Sequence, residues 1–159
     1  MWKAPTCVIA GRREPDLNAA VEEIGRDLTG VQGDAANLGD LDRLFAQIKR
    51  EKGGLDIVFA NAGFSRFGPL GKITEGDYDS LFNGNVKGLL FTVQKALQLL
   101  PDGASIILNA SMVASKELLE WSVNSATKAA ERSFARTSTT ESLCPPPKPG
   151  RKEKTRFRI

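Results

Sequence analysis

The sequence predicts a three-layer α/β fold, in which helices cover both faces of a parallel β-sheet. Short apolar strands alternate with amphipathic helices along most of the chain, and this alternation is typical of parallel strands joined by right-handed crossovers. In addition, residues 55–60 (LDIVFA) form a continuous apolar strand pattern, as expected for a strand that is buried on both faces. With 159 residues, the chain is long enough to form one such domain.

The first predicted strand, residues 6–10 (TCVIA), ends at a glycine that two arginines follow, Arg12 and Arg13. Cys7 lies in this strand, and we expect it to be buried as a small apolar side chain. Apolar residues then recur at positions i, i+3, i+4 and i+7, which predicts a helix over residues 15–24. The glycine directly after this pattern is a typical helix stop.

The middle of the chain repeats this order. Residues 29–32 indicate a second strand that ends near Asp34, and a second amphipathic pattern predicts a helix between Gly39 and Gly53. The apolar strand at residues 55–60 comes next, and Asn61-Ala62-Gly63 follow it directly. These three residues are therefore expected at the carboxyl end of a buried strand.

A long helix is predicted for residues 75–99, because its apolar residues form a broad stripe. Asn85 lies within this helix, between Gly84 and Gly88. The two glycines have two interpretations. They either allow another helix to approach closely in a dimer, or merely lower the helix propensity of the segment.

The last predicted strand, residues 106–108, leads into a polar loop with Ser111 and then into a helix that begins near Ser122. Asn124 and Lys128 are four residues apart and share one face of that helix. Open α/β sheets bind ligands at the carboxyl ends of their strands. The sequence therefore predicts that a hydroxyl, an amide and a cation meet in one cleft.

The rest of the chain, residues 142–159, is rich in proline and carries a charge of +5, so the mildly acidic remainder of −2 brings the net charge to +3. This composition cannot bury enough apolar surface to fold, so we expect a disordered tail. The tail has no nucleic-acid motif, which makes nucleic-acid binding an unfavoured interpretation. The two cysteines have no metal-ligand spacing, so neither a disulfide nor a metal site is expected.

No apolar run approaches 18 residues, and the N-terminus shows no leader pattern. We therefore expect no membrane segment and a cytoplasmic location.

Together, these features resemble the short-chain dehydrogenase/reductase family, whose members bind NAD(P)(H) on a Rossmann-type sheet. The resemblance covers about residues 6–140, and each motif follows its predicted strand or lies in its predicted helix. The motifs are Gly11-Arg12-Arg13, Asp34, Asn61-Ala62-Gly63, Asn85 within NVKG, Ser111 and the SATK run that ends at Lys128.

The resemblance implies a site for NADP(H). Arg12 and Arg13 stand where the family holds the adenosine 2′-phosphate, and bidentate guanidinium geometry suits a phosphate. Alternatively, both arginines are solvated residues at the end of a strand. Asp34 corresponds to a residue near the adenine ring, or it is a turn aspartate. Asn61-Ala62-Gly63 match the loop beneath the adenosine ribose.

The resemblance also implies hydride transfer between NADP(H) and a ketone or secondary alcohol. In the family a Tyr moves the proton, a Lys four residues later holds the nicotinamide ribose and lowers the Tyr pKa, a Ser polarises the carbonyl, and an Asn orders a water relay. Ser111, Lys128 and Asn85 match three of these roles, but Asn124 stands at the Tyr position. A neutral amide does not exchange a proton near pH 7. The chain has no His, and its one tyrosine, Tyr78, lies in a different helix.

We therefore expect an oxidoreductase by ancestry that is catalytically impaired as it stands. The alternative is a non-catalytic remnant or interaction module. In the family, the helices that correspond to residues 75–99 and 122–138 commonly form a dimer interface, so a homodimer through these helices is expected in that case.

The sequence departs from the family pattern at both ends, so an incomplete sheet is expected. The family starts with a central strand and a glycine-rich turn for the cofactor pyrophosphate, and neither is found before residues 6–10. The last strands of the family are not found after residue 141 either. We expect the strands at residues 6–10 and 55–60 to close up and pair directly, or to become locally disordered. An open apolar slot between them is the alternative.

Overall fold

A computed structural model describes residues 6–25, 27–116, 118–143 and 156–158. Strands and helices alternate along the chain, as the sequence predicts. The strands are β1 (Cys7–Gly11), β2 (Leu28–Gln32), β3 (Ile57–Ala60), β4 (Ser105–Leu108) and β5 (Arg156–Arg158). The helices are α1 (Glu14–Ile24), α2 (Leu38–Lys52), α3 (Glu75–Leu81), α4 (Gly88–Ala96) and α5 (Ser122–Leu143). None of the helices in these ranges combines the length and hydropathy needed to cross a bilayer.

All strand pairs among the described residues are parallel, which confirms the predicted pairing mode, but the strands form two sheets. One sheet has the order β1-β2, and the other has the order β3-β4-β5. In the first, Cys7 pairs with Leu28. In the second, Ile57 pairs with Ser105.

The prediction that β1 and β3 close up and pair is wrong, because these two strands belong to different sheets. Two contacts hold β1 where it is. Val8 packs against the core of the second sheet, and the guanidinium carbon of Arg12 lies 5.7 Å from the centre of the Phe64 ring. β1 therefore contacts the second sheet through side chains and not through a backbone ladder.

The hydrophobic core lies between α2, α4 and the strands β3 and β4. It consists of the buried residues Leu41, Phe45, Ile48, Val58, Ala60, Leu89, Val93, Ala96, Ile106, Leu108 and Ala135. Because Val8 of β1 packs against the same cluster, the two sheets share one core.

Helices cover the two sheets unequally. In the first sheet, the backbone of Gly30 lies against Leu17 and Val21 of α1. In the second sheet, Val58 and Ala60 face the core, whereas the side chains that alternate with them, Ile57 and Phe59, are 63% and 59% exposed. The expectation that residues 55–60 are buried on both faces is therefore wrong for one face. Cys7, expected to be buried, is also exposed.

The predicted long helix is present as three consecutive segments, α3, a π-helical turn over Phe82–Lys87, and α4. It begins at a capping box in which Thr74 and Asp77 bond each other's backbone N–H groups. A Cβ on Gly84 would lie 2.5 Å from the Phe64 ring, and one on Gly88 would lie 3.2 Å from the backbone of Ala35. Both glycines thus serve close contacts within the chain, which neither sequence interpretation anticipated.

The structure describes only residues 142–143 and 156–158 of the predicted tail. Helix α5 continues to Leu143, and Arg156–Arg158 form β5, parallel to β4. β5 thus pairs with the edge of β4 that β3 leaves free. The other residues of this tail lie outside the described ranges.

The one-sided burial of the second sheet generates a stability prediction. Ile106 is fully buried in β4, so we expect Ile106→Ala to lower the free energy of unfolding by about 2–5 kcal/mol. Ile57→Ala, which truncates the same side chain on the exposed face, should change it by about 0.5 kcal/mol or less. Urea denaturation of both variants measures the difference. Equal losses would show that a further element covers Ile57.

Candidate active site

The candidate site lies where the loops after β3 and β4 meet the π-helical turn and α5. These loops leave the carboxyl ends of two paired parallel strands, the edge where α/β sheets bind ligands. Four residues in contact define it, namely Gly63, Asn85, Asn109 and Lys128. Two of the three helical residues predicted for the site, Asn85 and Lys128, are thus brought together.

Asn85 connects three parts of this site. It lies in the π-helical turn and is completely buried. Its Nδ2 donates to the carbonyl of Phe64 at 2.9 Å and to Oγ1 of Thr127 at 3.2 Å, and its Oδ1 accepts from the N–H of Phe64 at 2.9 Å. One amide therefore ties the loop after β3 to α5. π-helical turns are frequent at functional sites.

The predicted loop Asn61-Ala62-Gly63 lies at the exposed edge of the site. A Cβ on Gly63 would lie 3.1 Å from Oδ1 of Asn85 and 3.7 Å from Nζ of Lys128, so glycine leaves room for both groups. Asn61 accepts a hydrogen bond from Nδ2 of Asn109. That bond joins the loops that follow β3 and β4.

Lys128 extends from α5 toward the ends of these strands. Its Nζ donates to the carbonyl of Asn109 at 3.3 Å and to the two carboxylate oxygens of Glu131 at 2.8 and 3.1 Å. The side chain of Lys128 is 16% exposed and that of Glu131 only 1%. The ammonium is thus neutralised by a buried acid on its own helix.

Glu131 was not identified from the sequence. Burial raises the pKa of its carboxyl group above the ordinary value of 4.5, and the ammonium of Lys128 offsets part of this rise. The i, i+3 spacing of Lys128 and Glu131 on a helix could have indicated the pair. Sequence reasoning also missed Asn109, which no motif marks, and gave no role to Thr127, although it belongs to the SATK run.

Ser111 lies directly before a short 3₁₀ turn, Met112–Ala114, against which α5 packs. Its Oγ accepts a hydrogen bond from the N–H of Val113 at 3.4 Å, so the hydroxyl caps this turn. Within the described residues, no hydrogen bond joins Ser111 to Asn124 or Lys128. Ser111 thus lies beside α5, the helix that carries Asn124 and Lys128, while its hydroxyl bonds the 3₁₀ turn.

Asn124 is 1% exposed, and its backbone carbonyl accepts from Oγ1 of Thr127 at 2.7 Å. Its side-chain Oδ1 is buried and has no hydrogen-bond partner among the residues that the structure describes. Such a buried acceptor costs about 1–3 kcal/mol. The chain's one tyrosine, Tyr78, is 48% exposed and stacks on Phe82.

The residues predicted to hold the adenosine end lie at the ends of β1 and β2. Arg12 contacts Phe64 of the site loop, whereas Arg13 forms an exposed ion pair with Asp16 at 2.5 Å. Asp34 accepts from the N–H of Ala36 at 2.9 Å, which is the geometry of a turn aspartate.

An open depression of about 520 Å³ lies beside Asp34, between the start of α2 and Lys87. In the same turn, the N–H of Asp34 donates to the carboxylate of Asp40 at 2.8 Å. This hydrogen bond lowers the pKa of Asp40, and the guanidinium of Arg43 lowers it further.

Known proteins share both the sequence and the fold. The oxidoreductase asL5 of Sarocladium schorii is 46% identical over 131 residues, which are 81% of this chain and 53% of that protein. The hydroxynaphthalene reductase arp2 of Aspergillus fumigatus is 30% identical over 74% of this chain and 43% of that protein. The chain spans about half the length of the curated relatives that it matches.

Among solved structures, a short chain dehydrogenase from Burkholderia cenocepacia in complex with NADP has a TM-score of 0.78 and 26% identity. The match covers 86% of this chain and 58% of that one. These similarities confirm the expected incomplete Rossmann-like α/β fold. The family model described as short chain dehydrogenase matches residues 2–143, and the chain therefore belongs to the short-chain dehydrogenase family.

Proposed function

We propose that this member of the family retains groups that bind NADP(H) and a substrate oxygen but cannot transfer a proton efficiently. It is then at most a weak enzyme that reduces a ketone with NADPH or oxidises a secondary alcohol with NADP⁺. One observation carries the proposal. The position where the family places its proton-transferring Tyr holds the buried amide of Asn124, and an amide has no pKa near 7. Loss of a positioned acid or base lowers the rate by about 10²- to 10⁴-fold.

Several groups in the chain fit a bound NADP(H). Arg12 and Arg13 would hold the 2′-phosphate, because an exposed ion pair such as Arg13–Asp16 exchanges partners readily. Gly63 would let the ribose approach the backbone, and Lys128 would donate to its hydroxyls. Bound NADPH would supply the hydride. The similarity to a structure that contains NADP supports this cofactor.

The polar groups of the site are already engaged with the protein itself. Lys128 is paired with Glu131, and Ser111 caps a turn. The side-chain amide of Asn85 is hydrogen-bonded to Phe64 and Thr127. A nucleotide or a carbonyl group would have to compete with these internal partners. This arrangement supports weak binding as well as slow chemistry.

An aromatic pair on the loop after β3 supports one class of substrate. The rings of Phe67 and Trp121 lie 4.4 Å apart, and the N–H of Gly68 donates to the carbonyl of Glu120 at 3.0 Å. This aromatic pair joins the loop after β3 to the start of α5. One relative is named a hydroxynaphthalene reductase, so an aromatic ketone is the first substrate to test.

The second candidate function is a non-catalytic module that forms a homodimer through helices 75–99 and 122–138. Three exposed apolar side chains on the first of these helices favour it, namely Tyr78, Leu90 and Leu97. Light scattering distinguishes a dimer from a monomer. Tight binding of NADPH would favour the enzyme site, whereas a dimer without NADPH binding would favour the module.

We expect the chain to show no NADPH-dependent reduction of aromatic ketones such as 1-tetralone above the uncatalysed rate. Asn124→Tyr, which restores a phenol beside Lys128, should raise the rate by about 10²- to 10⁴-fold. NADPH absorbance or fluorescence follows the reaction. Asn124→Phe is the matched control, because it introduces the same ring without the hydroxyl. Turnover by the unchanged chain that Ser111→Ala abolishes would contradict the proposal.

The buried pair of Lys128 and Glu131 predicts a pH effect on stability. The folded chain holds the Glu131 proton more strongly than the unfolded chain, because burial raises the pKa. The resulting stabilisation is fully present below the ordinary pKa of 4.5 and is lost as the pH rises through the raised pKa. We therefore expect the stability of the unchanged chain relative to Glu131→Gln to fall with rising pH over this window.

Urea denaturation at a series of pH values measures this difference. Glu51→Gln is the matched control, because Glu51 forms an ion pair with Arg50 at the surface. The free energy of unfolding of Glu51→Gln should vary with pH in the same way as that of the unchanged chain. A difference between the unchanged chain and Glu131→Gln that is constant with pH would show that the carboxyl of Glu131 titrates normally.

A further inference from the structure

Phe64 is held in place by two consecutive residues of the π-helical turn. The side-chain amide of Asn85 hydrogen-bonds both backbone polar groups of Phe64, the N–H and the carbonyl, each at 2.9 Å. Gly84 leaves the room that the ring occupies, because a Cβ there would lie 2.5 Å from Cε1 of Phe64. The backbone and the ring of Phe64 are therefore both fixed by the same turn.

The ring of Phe64 in turn contacts Arg12. The guanidinium carbon of Arg12 lies over this ring, 5.7 Å from its centre, which is within the range of a cation–π interaction. Among the residues that the structure describes, no carboxylate forms an ion pair with Arg12, whereas Arg13 is paired with Asp16 at 2.5 Å. Arg12 thus has an aromatic ring to orient it and no acid to neutralise it.

A guanidinium that is held in this way suits an anion. It donates hydrogen bonds from its edge, and a ring against its face leaves those donors for a bidentate contact with a phosphate. A long side chain also loses rotamer freedom when a ligand immobilises it. Contact with a fixed ring reduces that loss, because the side chain is already ordered before the ligand binds.

We propose that Phe64 is a positioning residue for Arg12 and thereby sets the preference of the chain for NADPH over NADH. The two nucleotides differ only in the 2′-phosphate. A residue that acts only through Arg12 therefore changes the affinity for NADPH and leaves the affinity for NADH unchanged. The inference rests on the proposed function, in which Arg12 holds this phosphate.

Titration with NADPH and with NADH, followed by nicotinamide fluorescence, tests this role. Phe64→Leu should weaken NADPH binding by about two- to fivefold, the strength of an exposed cation–π contact, and leave NADH binding unchanged. Phe64→Tyr keeps an aromatic ring and should bind NADPH as the unchanged chain does. Tyr78→Leu is the matched control, because it removes a half-exposed aromatic ring from α3. It should change neither affinity.

Two further variants separate positioning from a general loss of structure. In Gly84→Ala the new Cβ would displace the ring, so NADPH binding should weaken selectively although Phe64 is still present. In a chain that already carries Arg12→Met, Phe64→Leu should cause no further loss, because the group through which it acts is gone. Equal losses for NADPH and NADH, or a further loss in the Arg12→Met background, would overturn the proposal.

The position of Arg12 can also be measured by NMR without any nucleotide. Protons that lie over an aromatic ring resonate upfield, so the side-chain protons of Arg12 should show a ring-current shift that Phe64→Leu removes. Absence of this shift in the unchanged chain would overturn the positioning role even if NADPH is preferred. If the shift is present but NADPH binds no better than NADH, the 2′-phosphate contact of the proposed function fails, and the preference with it, whereas the contact between Phe64 and Arg12 stands.

Discussion

The hydrogen bonds of Asn85 are the interaction on which the site depends most. Three bonds from one buried amide hold Phe64 on one side and Thr127 of α5 on the other. The loop after β3 can therefore lie close to α5, and Gly63 can approach both Asn85 and Lys128. Asn85 lies in the π-helical turn and is buried. A π-helical turn has more residues per turn than a regular α-helix, so it changes the direction in which the side chain points. Local geometry, rather than the sheet, thus assembles the polar centre of the molecule.

Much of this arrangement is predictable from short-range patterns. The strands at residues 55–60 and 106–108 and the four predicted helical regions appear where apolar periodicity indicates them, because burial of one face depends on spacing within a segment. The spacing of Asn124 and Lys128 likewise placed both on α5 correctly. Motif order was sufficient to predict the family, since each motif marks the end of one strand or the face of one helix.

The features that could not be predicted depend on contacts between distant segments. Pairing of β1 with β3 was expected, but the sequence contains no information on how Val8 and Arg12 hold β1 against the other sheet. The partner of Lys128 was missed because a buried Glu is costly unless a cation is already beside it, and only the structure shows that Glu131 is buried. The close contacts of Gly84 and Gly88 involve Phe64 and Ala35, which lie far away in sequence.

The exposed face of β3 has a consequence for the behaviour of the chain in a cell. Ile57 and Phe59 stand beside a strand edge that has no partner in the part of the chain that the structure describes, and such a surface favours edge-to-edge aggregation and binding by chaperones. The fraction of the chain that stays unaggregated then depends on protein concentration and on the supply of chaperones, and not only on the free energy of unfolding. The exposed side chains of β3 therefore influence how much of this protein stays in solution.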